Sequence, residues 1–588
     1  MTKWETLRRL AVSEGKELTT QGESTPTSSF DSVAASKRSL LWGPFLAIAA
    51  TSFAVEAPSF FLGTPSGHDL EFHLYSWLEV LAQWKRGIVY PRWASMAHWA
   101  YGEPRFVFYP PASWTVGAAL SALLPWTIIS GVYIWLALVA AGVSMFMLAR
   151  TWLDRRDAVF AAALYAANPY HFVIVYWRSA FAELLASSLL PLLLLLVLRA
   201  AESEGRRAIV PLGAVLAASW LMNAPAAVMV HYSFALLIVV MAWLGRSPRL
   251  ILTGAAAVLL GTGLASFYLV PAVYEEKWVN IAEAISPGSR PQDNFLFSTT
   301  SDRDHDAFNH LVSWVALAEI LLTFVAAWMA RRCWRSPRRK LWHVSLVWAL
   351  ATVLLMSPIS ALLWNFLPKL RFMQFPWRWM LCLGVAFSIF LTLAIQRWTL
   401  RLAVYMATLL VIAFGWQHIQ PPWWDGPADL REIEDNMASG SGYEGTDEYT
   451  PAGADVSNVD KGARLVTVDG PANAAIHVFE WGPQSKLFTA KMSAPANLAL
   501  HLFHYPAWRA EVNGQPVQAT AREGTGQMLV PVGRGANRVE IKFMRTWDRT
   551  AGAWISVLSM FVLILWRFLD IRQSASVRLR NLRVRREP

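Results

Sequence analysis

Long apolar runs separated by short polar breaks dominate the first two thirds of the chain. A helix needs about 20 mostly apolar residues to cross a bilayer. Runs of that kind lie at 39–57, 131–149, 157–176, 181–199, 208–222, 224–244, 250–271, 311–330, 341–358, 377–395 and 402–418, with a last one at 551–568. The pattern predicts an α-helical polytopic membrane protein with about 12 transmembrane helices. The stretch 112–128, PASWTVGAALSALLPWT, is short and opens at proline, so it is expected as a juxtamembrane or re-entrant helix.

Between 419 and 550 the period changes. A linker rich in Pro, Gly and acids leads into ARLVTV, AAIHVFEW, KLFTAKM, LALHLFHY, WRAEVNG, QMLVPV and NRVEIKF, broken by DG, NG and RGAN turns. Alternation of period two between such turns signals an antiparallel sheet, expected here as a small C-terminal β-sandwich whose last strand feeds the final transmembrane helix. The aromatic edge of His504, Tyr505 and Trp508 could be a carbohydrate platform, although core packing is the commoner use of such a cluster.

Charge sets the expected orientation. With the N-terminus inside, Arg150/Arg155/Arg156, Arg206/Arg207, Arg246/Arg249, the run at 331–340, Arg397/Arg401 and the tail after Arg567 all face the cytoplasm, as the positive-inside rule asks. The expected organisation is therefore a flexible cytoplasmic tail at 1–38 and a transmembrane core at 39–418 with a first external loop at 58–130. An extracytoplasmic linker and sandwich at 419–550, a last span at 551–568 and a basic cytoplasmic tail at 569–588 complete it. The net charge of +11 sits largely in these short loops, so orientation explains it and nucleic acid is not an expected partner. Two cysteines leave no room for a disulfide framework or a CxxC metal site.

Candidate chemistry gathers on the expected outer face. The stretch from Gly63 to Trp114 crowds His68, Asp69, Glu71, His73, Arg92, Glu103, Arg105 and Tyr109 against the bilayer. A carboxylate such as Asp69 beside imidazoles can serve as general base toward a hydroxyl, or hold a divalent cation with His68 and His73. In YWRSAFAELL, Arg178 and Glu183 mark the ends of two spans joined by a minimal turn, where an ionisable pair is costly and is either functional or a mutual bridge. Arg92, Arg105, Lys277, Arg371 and Arg378 lie next to aromatic residues, a setting suited to clamping a lipid-linked phosphate. Asn223 with Pro225 could cap a helix or line a cavity, and His231 and Glu319 fall within spans. No P-loop, GxSxG or HExxH motif is present, so soluble nucleotide or hydrolase chemistry has no support.

An acidic residue in a long first external loop, an Arg with a carboxylate after the third span, and Pro-rich aromatic juxtamembrane segments resemble the GT-C glycosyltransferases. More closely, GHDLEFHLYSWLEV, YGEPRFVFYPP, QFPWRW and FHYPAWRAEVNG resemble bacterial membrane proteins labelled 6-pyruvoyl-tetrahydropterin synthase-related. The pterin label implies three histidine zinc ligands, and no such triad stands out. The GT-C resemblance implies an inverting enzyme of the bacterial inner membrane. It would move a sugar from a polyprenyl-phosphate donor to an envelope acceptor, with catalytic roles for Asp69 and Glu183 and substrate contacts from Arg92, Arg105, Tyr109, Arg178, Lys277 and Arg378. A divalent metal ion is a possible cofactor, with His68 and His73 as its candidate ligands. A flippase of lipid-linked sugars and a non-catalytic envelope scaffold are the competing expectations.

Overall fold

The computed structural model describes residues 29–202, 206–335, 338–415 and 424–584. It divides into a unit of residues 1–46 and a unit of residues 47–588, and the sites below lie in the second. Among the described residues, eleven helices are long and apolar enough to cross a membrane: Trp42–Leu62, Trp126–Ala149, Arg155–Arg178, Phe181–Glu202, Ala224–Gly245, Pro248–Trp278, Arg303–Cys333, Arg339–Met356, Pro376–Ala394, Trp398–Gly415 and Trp547–Trp566. Each overlies an expected run. The twelfth, at 208–222, is the apolar helix Ile209–Met222. Its 14 residues reach only about 21 Å at 1.5 Å per residue, and it packs along Pro248–Glu275. The stretch at 112–128 forms a 13-residue helix, Pro111–Leu123, packed against Leu70–Lys85.

Two boundaries differ from expectation. The first helix begins at Ser29, inside the expected tail, and the last runs on to Val584. Neither 29–38 nor 569–584 contains a Pro or Gly to stop a helix. The rest of both expected tails, 1–28 and 585–588, lies outside the described residues.

The β-strands are β1 (Thr64–Pro65), β2 (Trp424–Asp425), β3 (Val466–Asp469), β4 (Ala474–Trp481), β5 (Ser485–Met492), β6 (Ala496–Phe503), β7 (Trp508–Val512), β8 (Gln515–Val517), β9 (Thr520–Ala521), β10 (Gln527–Val532) and β11 (Gly535–Phe543). Strands β3–β11 form two sheets in the orders β3-β6-β10-β9 and β4-β5-β11-β7-β8, with every pair antiparallel. Phe488, Ala490 and Val539 from one sheet and Leu498, Leu500 and Val530 from the other share one apolar core. That is the expected sandwich. Alternation is cleanest in β7, where Trp508, Ala510 and Val512 are buried while Arg509 and Glu511 face out. The turn after it uses Asn513 and Gly514, both at positive φ, as a tight hairpin between twisted strands requires. Tyr505 and Trp508 are core residues, so the aromatic edge is packing and not a platform.

The sandwich is not free-standing. Trp93, Tyr101, Val107 and Phe108 of the first loop belong to its apolar core. Phe503 N–H donates to the Tyr101 carbonyl at 3.0 Å, and Tyr101 stacks on His501 at 3.9 Å. A second tie joins Glu275 to Arg549 by two bonds of 2.7 Å, with Tyr505 Oη donating to the same carboxylate. Loop, sandwich and final helix are thereby tied to one another.

Candidate functional site

The site is built where the first loop crosses the turn at 178–180. Gly67 N–H donates to Ser179 Oγ at 3.0 Å, Ser179 Oγ donates to the Pro65 carbonyl at 2.7 Å, and Asp69 N–H donates to the Arg178 carbonyl at 2.9 Å. The crossing is tight enough to demand glycine, since a Cβ on Gly67 would stand 2.6 Å from the Arg178 carbonyl carbon. On the other strand of the crossing, Ile174–Arg178 forms a widened π-type turn and Ser179 adopts a left-handed conformation at φ 49°. Turns of this kind are common at functional sites, because the extra residue re-aims the side chains around it.

Four charges follow in a row. Asp69 Oδ2 stands 3.6 Å from Arg178 Nη2; Arg178 Nη1 bonds Glu183 Oε2 at 2.5 Å; and Arg378 Nε lies 3.2 Å from that same oxygen. Tyr170 Oη donates to Glu183 Oε1 at 2.8 Å. Both guanidiniums pack over the Phe375 ring. Glu183, Arg178 and Arg378 are buried, whereas the Asp69 side chain is 43% exposed. The difference decides their chemistry. A buried carboxylate flanked by two guanidiniums and a phenol is paired and turned away from the cavity that Asp69 lines, so Glu183 serves to hold the arginines. Asp69 keeps an open face.

That face lines a cavity of about 1310 Å³, shared with His68, Tyr109, Gln374 and Arg378. Apolar side chains of the surrounding helices, including Trp220, Val228, Leu269 and Val273, line it as well. It is roomier than the roughly 300–1,000 Å³ of a pocket for a drug-sized ligand. Asn223 both lines it and caps Ala224–Gly245, accepting from Ala226 N–H at 2.9 Å. His231 also lines it and faces the Ala227 carbonyl, while buried Glu319 accepts from Asn168 at 2.9 Å away from the cavity.

The remaining candidates divide. Lys277 lines the cavity with its ammonium 3.8 Å from the centre of the Tyr274 ring. Arg105 borders it but is committed to Glu103, at 2.5 Å, and to Ser76 Oγ, at 3.0 Å. Arg92 does not line it; its guanidinium covers Tyr90 and donates to the Phe267 carbonyl at 3.4 Å. His73 turns inward and stacks on Phe181 at 5.1 Å, and burial pushes its imidazole down to about 4. Among the described residues no group of three or more His, Cys, Asp or Glu side chains could hold a metal ion. The expected His68, Asp69 and His73 set fails because Asp69 precedes the helix Leu70–Lys85 while His73 sits in its first turn facing the core.

Sequence reasoning passed over the linker. Tyr443 stacks on Tyr75 at 4.0 Å, Thr446 N–H donates to Glu103 Oε2 at 2.9 Å, and Tyr443, Glu444, Thr446, Glu448 and Tyr449 form part of the cavity wall. Burial would raise the Glu103 carboxyl, but Arg105 beside it, with His98 at 2.9 Å, holds it down to about 2. The aromatic and acidic letters of SGYEGTDEYT were the available signal. Tyr170 was likewise missed, since its partner is thirteen residues away.

Fold and site together define a polytopic, mostly helical membrane protein that carries a C-terminal β-sandwich and a large mixed polar and apolar cavity. The family described as 6-pyruvoyl-tetrahydropterin synthase related domain, membrane protein, matches residues 106–420, more than half of the chain, and the chain belongs to it. No curated protein matches. No solved structure matches either.

Proposed function

We propose that this protein is a membrane glycosyltransferase that moves a sugar from a polyprenyl-phosphate donor to an envelope acceptor on the outer face of the bacterial plasma membrane. The observation that carries the reading is the half-open Asp69 carboxylate on a large cavity, backed by the buried Arg178–Glu183–Arg378 array. Asp69 takes the proton of the acceptor hydroxyl as its oxygen attacks the anomeric carbon. The bond from that carbon to the phosphate oxygen breaks, its electrons stay on the departing polyprenyl phosphate, and the configuration inverts. Arg378, which reaches the cavity wall while Glu183 holds it, and Lys277 meet the growing negative charge, and Glu183 keeps Arg178 and Arg378 in place. The apolar lining suits the first isoprene units of the carrier.

The test is transfer by the purified protein from a panel of radiolabelled polyprenyl-phosphate sugars, wild type against Asp69→Asn, with and without EDTA. Transfer that is lost in the variant supports the reading, and the EDTA lane reports metal dependence. Donor binding without transfer from any member of the panel overturns it in favour of a lipid-linked sugar flippase, which the same mixed lining would also serve.

A further inference from the structure

The cavity has one wall unlike the others. Between Asp425 and Asp455 the linker carries a single basic residue, Arg431, in a chain whose net charge is +11. Its segment Tyr443–Tyr449 reaches the cavity with Glu444 and Glu448, and Glu71 of the first loop joins them in the lining. None of these three carboxylates makes an ion pair among the described residues. The wall is anchored to the first loop. Tyr443 N–H donates to the Met96 carbonyl at 3.0 Å, Tyr449 stacks on Phe108 at 5.6 Å, and Gly442 passes where a Cβ would meet the Ala100 amide at 2.5 Å. Glu448 is half-buried there while Glu71 and Glu444 are exposed to the cavity, and desolvation, with Glu103 near and against the pull of Arg105, pushes the Glu448 carboxyl up to about 7. A half-buried carboxylate that makes no ion pair among the described residues and faces a ligand-sized cavity favours an incoming cation.

We infer that the linker wall is the acceptor subsite, that the acceptor is a hydroxyl-rich glycan bearing an amino group, and that Glu448 receives its ammonium. The inference rests on the glycosyltransferase reading for the word acceptor, but the binding chemistry stands by itself. Carboxylates accept bonds from sugar hydroxyls and pair with ammonium groups, and they repel phosphate, which leaves the donor to Arg378 and Lys277.

The experiment uses the full chain in nanodiscs and three probes that differ only at C6 of the ring: octyl β-D-glucoside, its 6-amino-6-deoxy analogue and octyl β-D-glucuronide. Binding is followed by tryptophan fluorescence at about pH 8, where Glu448 is ionised, with empty nanodiscs as the blank. The expected order is amine, then neutral, then acid, with about tenfold or more between the extremes. Glu448→Gln should collapse that spread while leaving thermal unfolding and polyprenyl-phosphate binding intact. Equal binding of the three probes, tighter binding of the glucuronide, or a spread unchanged in Glu448→Gln with its fold intact would overturn the inference. A Glu448→Gln protein that fails to fold is replaced by Glu444→Gln and by the salt dependence of the wild-type amine preference, which must weaken with salt. Amine binding without any sugar transfer would sink the transferase reading and leave the subsite standing; transfer indifferent to acceptor charge would do the reverse.

Discussion

Asp69 and Arg178 are joined twice, once by a backbone bond of 2.9 Å from the Asp69 amide to the Arg178 carbonyl and once by side chains 3.6 Å apart. The backbone bond fixes where the carboxylate stands, and the longer side-chain approach leaves it free to meet a ligand. Replacing Asp69 by Asn keeps the shape and removes the base. Transfer should fall by about 10²–10⁴-fold, with donor binding measured by equilibrium dialysis little changed.

Glu183→Gln leaves Arg178 and Arg378 buried without their shared counter-charge. Breaking one partner of a buried pair costs about 3–5 kcal/mol, so thermal unfolding in detergent should shift clearly downward. Glu183→Asp, which keeps the charge but shortens the reach, should fall between the two.

Gly67→Ala tests the crossing itself. Its Cβ would meet backbone and no side chain could yield, so the loop must shift and carry Asp69 with it. A misplacement of about 1 Å can cost roughly 100-fold in rate. Transfer should drop while the sandwich, followed by near-ultraviolet circular dichroism, stays folded.

Glu103 makes stability acid-sensitive. Its carboxyl is held from an ordinary 4.5 down to about 2, so below its unfolded value the unfolded chain binds the extra proton. The stabilisation is full above about pH 4.5 and is lost as pH falls toward 2. Unfolding midpoints across that window should decline in wild type and flatten in Glu103→Gln, which should also be less stable at neutral pH.

Lys486 acts in the opposite range. Burial among Trp481 and Trp508 pushes its ammonium down to about 7 from 10.5, so the unfolded chain binds more protons between those values and stability rises with pH across them. Lys486→Met should abolish that rise and stabilise the full chain at pH 7 by about 1 kcal/mol, read as a higher unfolding midpoint.

The spans were legible because crossing a bilayer imposes a length and an apolar composition on each helix, and both are written locally. The sandwich strands were legible for the same reason, through alternation and turns such as Asn513-Gly514. Glu183 could be picked out as an ionisable residue at a span end, but its role could not. Only the arrival of Arg378 from nearly two hundred residues away shows that it holds two cations. Asp69 and His73 looked like a pair at helical spacing, and the helix start between them sent one to the cavity and the other to the core.

The sequence by itself determined the membrane class, the positions of the spans and the sheet nature of 466–543, because each depends on periodicity within a few residues. Tertiary structure alone decided that the linker forms one wall of the cavity, that Arg105 and Arg92 are committed elsewhere, and that Asp69 is left open. Those outcomes depend on which distant groups reach a charge first. A buried charge takes the nearest partner the fold supplies, and no local pattern says which one that is.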